Sequence, residues 1–328
     1  MIRLLLYLLV LVALAGAAGT VGYRVMEAEF ARPGPSAEAR VILLPKGAGL
    51  GTIAELLAYE GAIESPLLFR LAVRIEGRAR VLKAGEYEIP AGASGRAIMA
   101  LLVEGKTVVH RLTVPEGLTS AEIIGLLAAA EALDGDSGPL PPQGSLLPET
   151  YHFTRGDDRA ALVERMRRDM AEALAGLWAE RAEGLPLASS EEAIVLASIV
   201  EKETGVAAER PLIAGVFYNR LAKGMPLQSD PTVVYALTGG AGPLGRALTR
   251  ADLKVDSPYN TYLAAGLPPG PIANPGRAAL EAVLKPAETD ALYFVADGSG
   301  GHAFAATLEE HNRNVAKWRK AQADAQAE

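Results

Sequence analysis

The chain has 328 residues, half of them hydrophobic, enough for two packed domains beyond a short terminal segment. Its net charge is −7 and its Lys and Arg residues are spread along the chain, which excludes the clustered basic face of a nucleic-acid binder. It has no cysteine, so disulfides, zinc-thiolate sites and cysteine nucleophiles are excluded as well.

Leu4 through Tyr23 is an uncharged run rich in Leu, Val and Ala. As a helix it spans about 30 Å, the thickness of a bilayer core, so residues 1–24 are predicted to be a transmembrane anchor. Arg3 and the free amine precede the run and Arg24 follows it. Counting Lys and Arg puts the N-terminus in the cytoplasm and the rest of the chain outside, on the periplasmic side of the inner membrane. A signal peptide cleaved after Ala15-Gly16-Ala17 is the alternative, and it exports the remainder equally. Residues 25–38, with Arg32-Pro33-Gly34-Pro35-Ser36, read as a linker that cannot continue a helix.

Residues 39–135 read as a small α+β region with an internal repeat. Val41-Ile42-Leu43-Leu44 is a predicted strand, Pro45-Lys46-Gly47 a turn, and Leu50 to Ala58 a helix with Ile53, Leu56 and Leu57 on one face. Thr113-Val114-Pro115-Glu116-Gly117 repeats the turn, and its helix carries Ile123, Leu126 and Leu127 at the same offset. A looser third unit runs from Gly85-Glu86-Tyr87-Glu88-Ile89-Pro90 into a helix around Ile98, Leu101 and Leu102. A strand–turn–helix opening on Val-x-x-Pro-x-Gly resembles the LysM module, which recognises N-acetylglucosamine polymers; a scaffold that binds nothing is the alternative. Gly, Pro, Ser and Asp crowd residues 131–145, where a domain boundary is expected, leaving 136–328 as a second, mixed α/β domain. It contains one late strand, Ala291 to Val295, and a polar C-terminal helix from about Leu308.

Within that domain, Ser189 and Glu192 form a capping-box pattern and Gly205 is a candidate C-terminal cap. Ala193 to Thr204 between them is apolar on every face, as expected of a buried helix, yet it ends in Glu201 and Glu203. A carboxyl in a last helical turn faces the negative end of the dipole, and apolar neighbours disfavour its charge. Both effects raise its pKa, as a general acid for glycoside cleavage requires. Helical periodicity does not choose between the two glutamates, and both could equally pair with Lys202 or Arg210.

Further on, Asn219 lies in Val216-Phe217-Tyr218-Asn219-Arg220-Leu221, a predicted helix ending at Lys223-Gly224. Gln228, Ser229, Asp230 and Thr232 crowd a turn that starts another helix, with Ser229 or Asp230 as its cap. Tyr259, Asn260, Thr261 and Tyr262 precede a stiff Gly266-Leu-Pro-Pro-Gly270 loop. Rings and amides of this kind suit sugar faces, hydroxyls and acetamido groups. There is no Gly-x-Ser-x-Gly, His-Glu-x-x-His, Walker loop or Gly-x-Gly-x-x-Gly after a strand. His110, His152, His302 and His311 show no metal-ligand spacing, so no metal is expected.

These blocks resemble the endolytic murein transglycosylases, or YceG-like proteins. The resemblance rests on Leu196-Ala-Ser-Ile-Val-Glu-Lys-Glu-Thr-Gly205, Glu209-Arg-Pro211, Val216 to Leu221 and Gly224-Met-Pro-Leu-Gln-Ser-Asp-Pro-Thr-Val233. It extends through Tyr259 to Tyr262, Gly266 to Gly270, Tyr293-Phe-Val-Ala-Asp-Gly298 and Gly301-His-Ala-Phe304. It implies Glu201 as the catalytic residue, with Glu149, Tyr151, Asn219, Gln228, Ser229, Asp230, Thr232 and Tyr259 through Tyr262 at the substrate. Where the family has a Glu ahead of Glu149 and Tyr151, this chain has Gln143. The implied reaction cleaves the β-1,4 bond between N-acetylmuramic acid and N-acetylglucosamine of peptidoglycan glycan strands, leaves a 1,6-anhydro end and needs no cofactor. Cell-wall synthases such as penicillin-binding proteins are the implied protein partners. A hydrolase needs a second carboxylate, for which Asp230 is the candidate, so a muramidase remains an alternative, as does a non-catalytic wall-binding scaffold.

Overall fold

A computed structural model of the chain describes residues 2–327. It is a mixed α+β chain in two compact units, residues 1–110 with 152–156, and 111–151 with 157–328.

The first unit opens with α1 (Ile2–Phe30), a helix long and apolar enough to cross a membrane by length and composition. It does not stop at the expected linker. Phe30 is buried against Phe69, with ring centroids 5.9 Å apart, so the helix runs on until its last residue joins the core. Next come β1 (Arg40–Leu44), α2 (Leu50–Tyr59), α3 (Pro66–Ile75), β2 (Gly85–Ile89) and α4 (Gly95–Glu104). β1 and β2 pair antiparallel, Arg40 opposite Ile89 and Leu44 opposite Gly85. Alternation sends Ile42, Leu44, Tyr87 and Ile89 inward, where Ile53 and Leu57 of α2 and Ile98 and Leu102 of α4 meet them. The strands and helices expected of the first and third units are thus present. Helix α3, which the sequence reading passed over, is capped by Ser65 and fills the same core with Phe69, Ala72 and Val73.

The second repeat, β3 (Val109–Thr113) and α5 (Ser120–Ala128), goes elsewhere. From Arg111 it belongs to the second unit. Its turn is bonded there: Gly117 N–H donates to the Asn274 carbonyl (3.0 Å), and the buried Asn274 amide donates to Leu118 O (3.0 Å). The expected boundary at 131–145 is also held inside this unit. β4 (Leu133–Asp134) precedes β5 (Thr150–Thr154), which pairs with β3, and β6 (Asp157–Asp158), which runs parallel to β4. The guanidinium of Arg159, at the start of α6 (Arg159–Ala179), donates to the carbonyls of Leu127, Ala130, Leu133 and Gly135. One side chain therefore fixes the segment whose composition suggested a hinge.

At the centre of the second unit lies α7 (Ser190–Glu203), with α8 (Arg210–Ala222), α9 (Asp230–Thr238) and α10 (Arg277–Leu284) packed around it. Of the eight positions of α7 from Ala193 through Val200, all but Ile194 are buried. β7 (Tyr293–Ala296) and β8 (His302–Ala305) form a hairpin, followed by α11 (Leu308–Ala327). The expected glycine cap of α7 is not used. Thr204 follows the helix in extended conformation, and its hydroxyl accepts from Val206 N–H (2.9 Å).

Candidate active site

The two glutamates that end α7 have different surroundings. Glu201 is enclosed, its side chain 5% exposed. One carboxylate oxygen accepts from Arg210 Nη2 (3.2 Å), and the other from the Gly276 N–H (3.0 Å) at the N-cap of α10. Glu201 thus caps the positive end of a neighbouring helix. Arg210 also reaches Glu116 (3.4 Å). Gly117 closes over this group with φ +76, where a Cβ would lie 3.3 Å from Lys202 Cδ and 3.5 Å from Glu201 Cγ. Burial pushes the Glu201 carboxyl above the usual range; the Gly276 N–H and Arg210 hold it back, and the Glu116 charge adds to the rise.

Glu203 opens instead onto a cleft of about 450 Å³, shared with Arg220, Gln228, Asp230, Tyr262, Tyr293 and His302. Burial pushes its carboxyl up to about 7. The Asp230 charge adds to the rise, while a hydrogen bond from the Ser229 hydroxyl and the charges of His302 and Arg220 oppose it. A carboxyl half-protonated near neutral pH beside open space can deliver a proton and take one back. Asp230, the first residue of α9, accepts from the Tyr262 hydroxyl (2.6 Å). It also lines a second cleft of about 270 Å³ with Lys202, Tyr235 and Ile272. Glu201 lines neither cleft.

Backbone strain marks the same place. Gln228, at φ 54, is the only residue other than glycine with positive φ among the described residues. The strain is held by Gln228 N–H to Thr261 O (3.0 Å) and by Arg220 Nη2 to the Gln228 side chain (3.3 Å). Arg220 is itself buried, donating to the carbonyls of Leu227 (2.6 Å) and Leu292 (2.8 Å) under the Tyr293 ring.

Of the residues predicted at the substrate, the structure gathers Gln228, Asp230 and Tyr262 at the Glu203 cleft. Ser229, Thr232 and Thr261 are buried behind it and bonded to one another: Ser229 N–H to Thr261 Oγ1 (3.0 Å), Thr232 Oγ1 to Thr261 Oγ1 (2.8 Å). Asn260 is buried with its amide on Leu253 O and Val255 O. The Asn219 amide is likewise taken by Thr289 O and Ala291 O, and the Tyr151 hydroxyl by Leu147 O. These groups have their hydrogen bonds inside the protein and shape the loop walls. The Tyr259 and Tyr235 rings meet at 4.7 Å, tilted by 50°, in a separate cleft that also holds Gln143. Gln143 there accepts from Ser120 N–H (2.6 Å), a bond that a neutral amide makes as well as a carboxylate. Glu149 is exposed, accepting from the Thr150 N–H.

Sequence reasoning named Arg210 as a possible partner of the glutamates, and it pairs with Glu201, but it missed Arg220, Glu209 and His302. Glu209 accepts from both the His302 ring (2.7 Å) and its backbone N–H (2.8 Å), fixing His302 beside Glu203. The signal of these three was present, since they lie in the family blocks, but nothing local paired Arg220 with Leu292, 72 residues on, or Glu209 with His302, 93 residues on. No cluster of metal-ligating side chains occurs among the described residues.

Comparison with known proteins adds the following. The model of the YceG-like family matches residues 42–317. The chain is 33% identical over 309 residues to the endolytic murein transglycosylase of Bacillus subtilis (strain 168), covering 84% of each. It is 31% identical over 359 residues to the endolytic murein transglycosylase of Streptococcus pneumoniae (strain D39), covering 94% of this chain and 64% of that longer relative. A crystal structure of a YceG-like protein from Listeria monocytogenes matches with TM-score 0.55 at 33% identity, covering 85% of this chain and 99% of that one.

Proposed function

The chain belongs to the YceG-like family, and we propose that it is an endolytic murein transglycosylase, a lytic enzyme that cuts the glycan strands of peptidoglycan. The observation that carries this reading is the family match over residues 42–317 together with two carboxyls raised by burial at the end of a buried helix, of which Glu203 lines a polar cleft.

Glu203 protonates the bridging oxygen of the β-1,4 bond between N-acetylmuramic acid and N-acetylglucosamine as an oxocarbenium-like centre develops. The 6-hydroxyl of the same muramic acid then attacks that centre and returns its proton to Glu203. The product is a 1,6-anhydro end, and no water is consumed. Intramolecular attack benefits from proximity, which removes the need for a second nucleophile. Asp230 and Tyr262 face the reacting ring, with Asp230 keeping the Glu203 proton in place by its charge.

Glu201, the residue that the family resemblance implies, is the second candidate for the acid. Its raised pKa favours it; its two bonds to Arg210 and Gly276 favour a positioning role for the end of α7.

In the same proposal α1 anchors the enzyme in the inner membrane with the catalytic residues outside the cytoplasm. The LysM-like turns at Pro45 and Pro115 hold glycan, the second unit carries the chemistry, and cell-wall synthases are the neighbours that supply nascent strands. The test is mass spectrometry of purified glycan strands after digestion. Anhydromuramic ends support the transglycosylase; reducing ends would make the enzyme a muramidase, and intact strands a binding scaffold.

A further inference from the structure

The base of α1 is tied to the end of α3. Arg96 bridges Glu27 of α1 (3.5 Å) and Glu76 (3.3 Å), the residue that closes α3. Glu27 lies four residues beyond Tyr23, about 6 Å along a helix axis. The C-terminal end of α3 is therefore held beside the stretch of α1 that leaves the apolar run.

That end of α3 has an unusual surface. Phe69, Ala72 and Val73 face the core, yet Leu67, Leu71 and Ile75, spaced four apart, form a second apolar line, 70%, 48% and 52% exposed. Val81 in the following turn is 45% exposed. Arg74, Arg78 and Arg80 are exposed around Ile75 and Val81, and none forms an ion pair among the described residues. The one acid in this stretch, Glu76, is already bonded to Arg96. A cationic patch with apolar residues set into it, on a chain of net charge −7, is matched to a surface that is anionic outside and apolar beneath.

We propose that residues 74–81 bind anionic phospholipid headgroups at the membrane surface from which α1 emerges, with Ile75 and Val81 entering the boundary between headgroups and acyl chains. The inference rests on the reading of α1 as an uncleaved anchor. Such a contact fixes the first unit at the bilayer, where a charge near an anionic surface strengthens association about fivefold per Arg.

The chain has no cysteine, so single nitroxide labels report one site each. Full-length Ile75→Cys, Tyr59→Cys and Val12→Cys are labelled and reconstituted in bilayers with and without phosphatidylglycerol, and accessibility to oxygen and to a nickel chelate is read. At position 75 oxygen should exceed nickel in phosphatidylglycerol. The preference should weaken in phosphatidylcholine, and it should be lost when Arg74, Arg78 and Arg80 are all changed to Glu. A label at 75 as aqueous as that at the exposed position 59 in both lipids, with position 12 in the acyl core, overturns the inference and leaves the anchor standing. Retention of the oxygen preference in the triple variant overturns the headgroup assignment. An aqueous reading at position 12 overturns the anchor and the inference with it.

Discussion

Ser229 occupies the N-cap position of α9, but its hydroxyl donates to Glu203 at the far end of α7. A residue type that would ordinarily satisfy its own helix has been turned to a carboxyl 26 positions earlier in the chain. Two loops and two helix ends thereby share one proton-carrying group.

Replacing Ser229 with Ala removes a bond that lowers the Glu203 pKa. The alkaline limb of the pH–activity profile should move to higher pH. Stability should fall by about 1.5–3 kcal/mol where Glu203 is ionised, the worth of one hydrogen bond to a charged group, with no cap lost from α9. A pH profile and a thermal melt of Ser229→Ala check both. An unmoved alkaline limb would separate Glu203 from the rate.

The raised pKa of Glu203 also has a sign for folding. Its value of about 7 stands above the 4.5 of an unperturbed glutamate, so between these values the folded protein holds a proton that the unfolded chain has released. The contribution to stability is full below about pH 4.5 and declines as pH rises to about 7, by at most about 1.4 kcal/mol per pH unit. Urea titrations at pH 5 and pH 7.5 should show a larger loss for the wild type than for Glu203→Gln. Equal losses would remove Glu203 from the balance.

Much of this was legible in the sequence, and what was not has a physical reason. Periodicity located α7 and its two carboxyls, and the Pro-x-Gly turns at Pro45 and Pro115 located β1–α2 and β3–α5. It did not say that the second turn joins the other unit, because that depends on Asn274, more than 150 residues away from the Leu118 and Ser120 it binds. Gly- and Pro-rich composition suggested a boundary at 131–145, but four carbonyls of that stretch and its flank converge on Arg159. The end of the apolar run at Tyr23 and the Pro- and Gly-rich stretch after it suggested a linker from residue 25, yet Phe30 draws the helix on into the core. A helical wheel could not separate Glu201 from Glu203, since what distinguishes them is a cap to α10 in one case and open space in the other.

Arg210→Met should act through Glu201. It leaves a carboxylate that is 5% exposed without its cationic partner, a change that costs about 3 kcal/mol or more. Denaturant unfolding measures this directly. Combining it with Glu201→Gln should recover part of the loss, because the unpaired charge is then gone. A double variant no more stable than Arg210→Met would contradict the positioning role.

Asp230→Asn separates the two chemistries. In a transglycosylase the change removes a charge that raises the Glu203 pKa, so the alkaline limb moves to lower pH while anhydromuramic ends are still made. In a muramidase the same change removes the second carboxylate, and cleavage falls by several orders of magnitude. Product analysis of the variant at pH 6 decides between them.

The most direct measurement compares Glu203→Gln and Glu201→Gln, both folded by circular dichroism, on purified glycan strands, with anhydromuramic ends counted by mass spectrometry. General acid–base catalysis contributes roughly 10²- to 10⁴-fold, so Glu203→Gln should lose at least that much. Glu201→Gln should retain a measurable part of the activity and the wild-type alkaline limb. Near-normal yield from Glu203→Gln, with activity abolished in a folded Glu201→Gln, would contradict the account and return the catalytic role to Glu201.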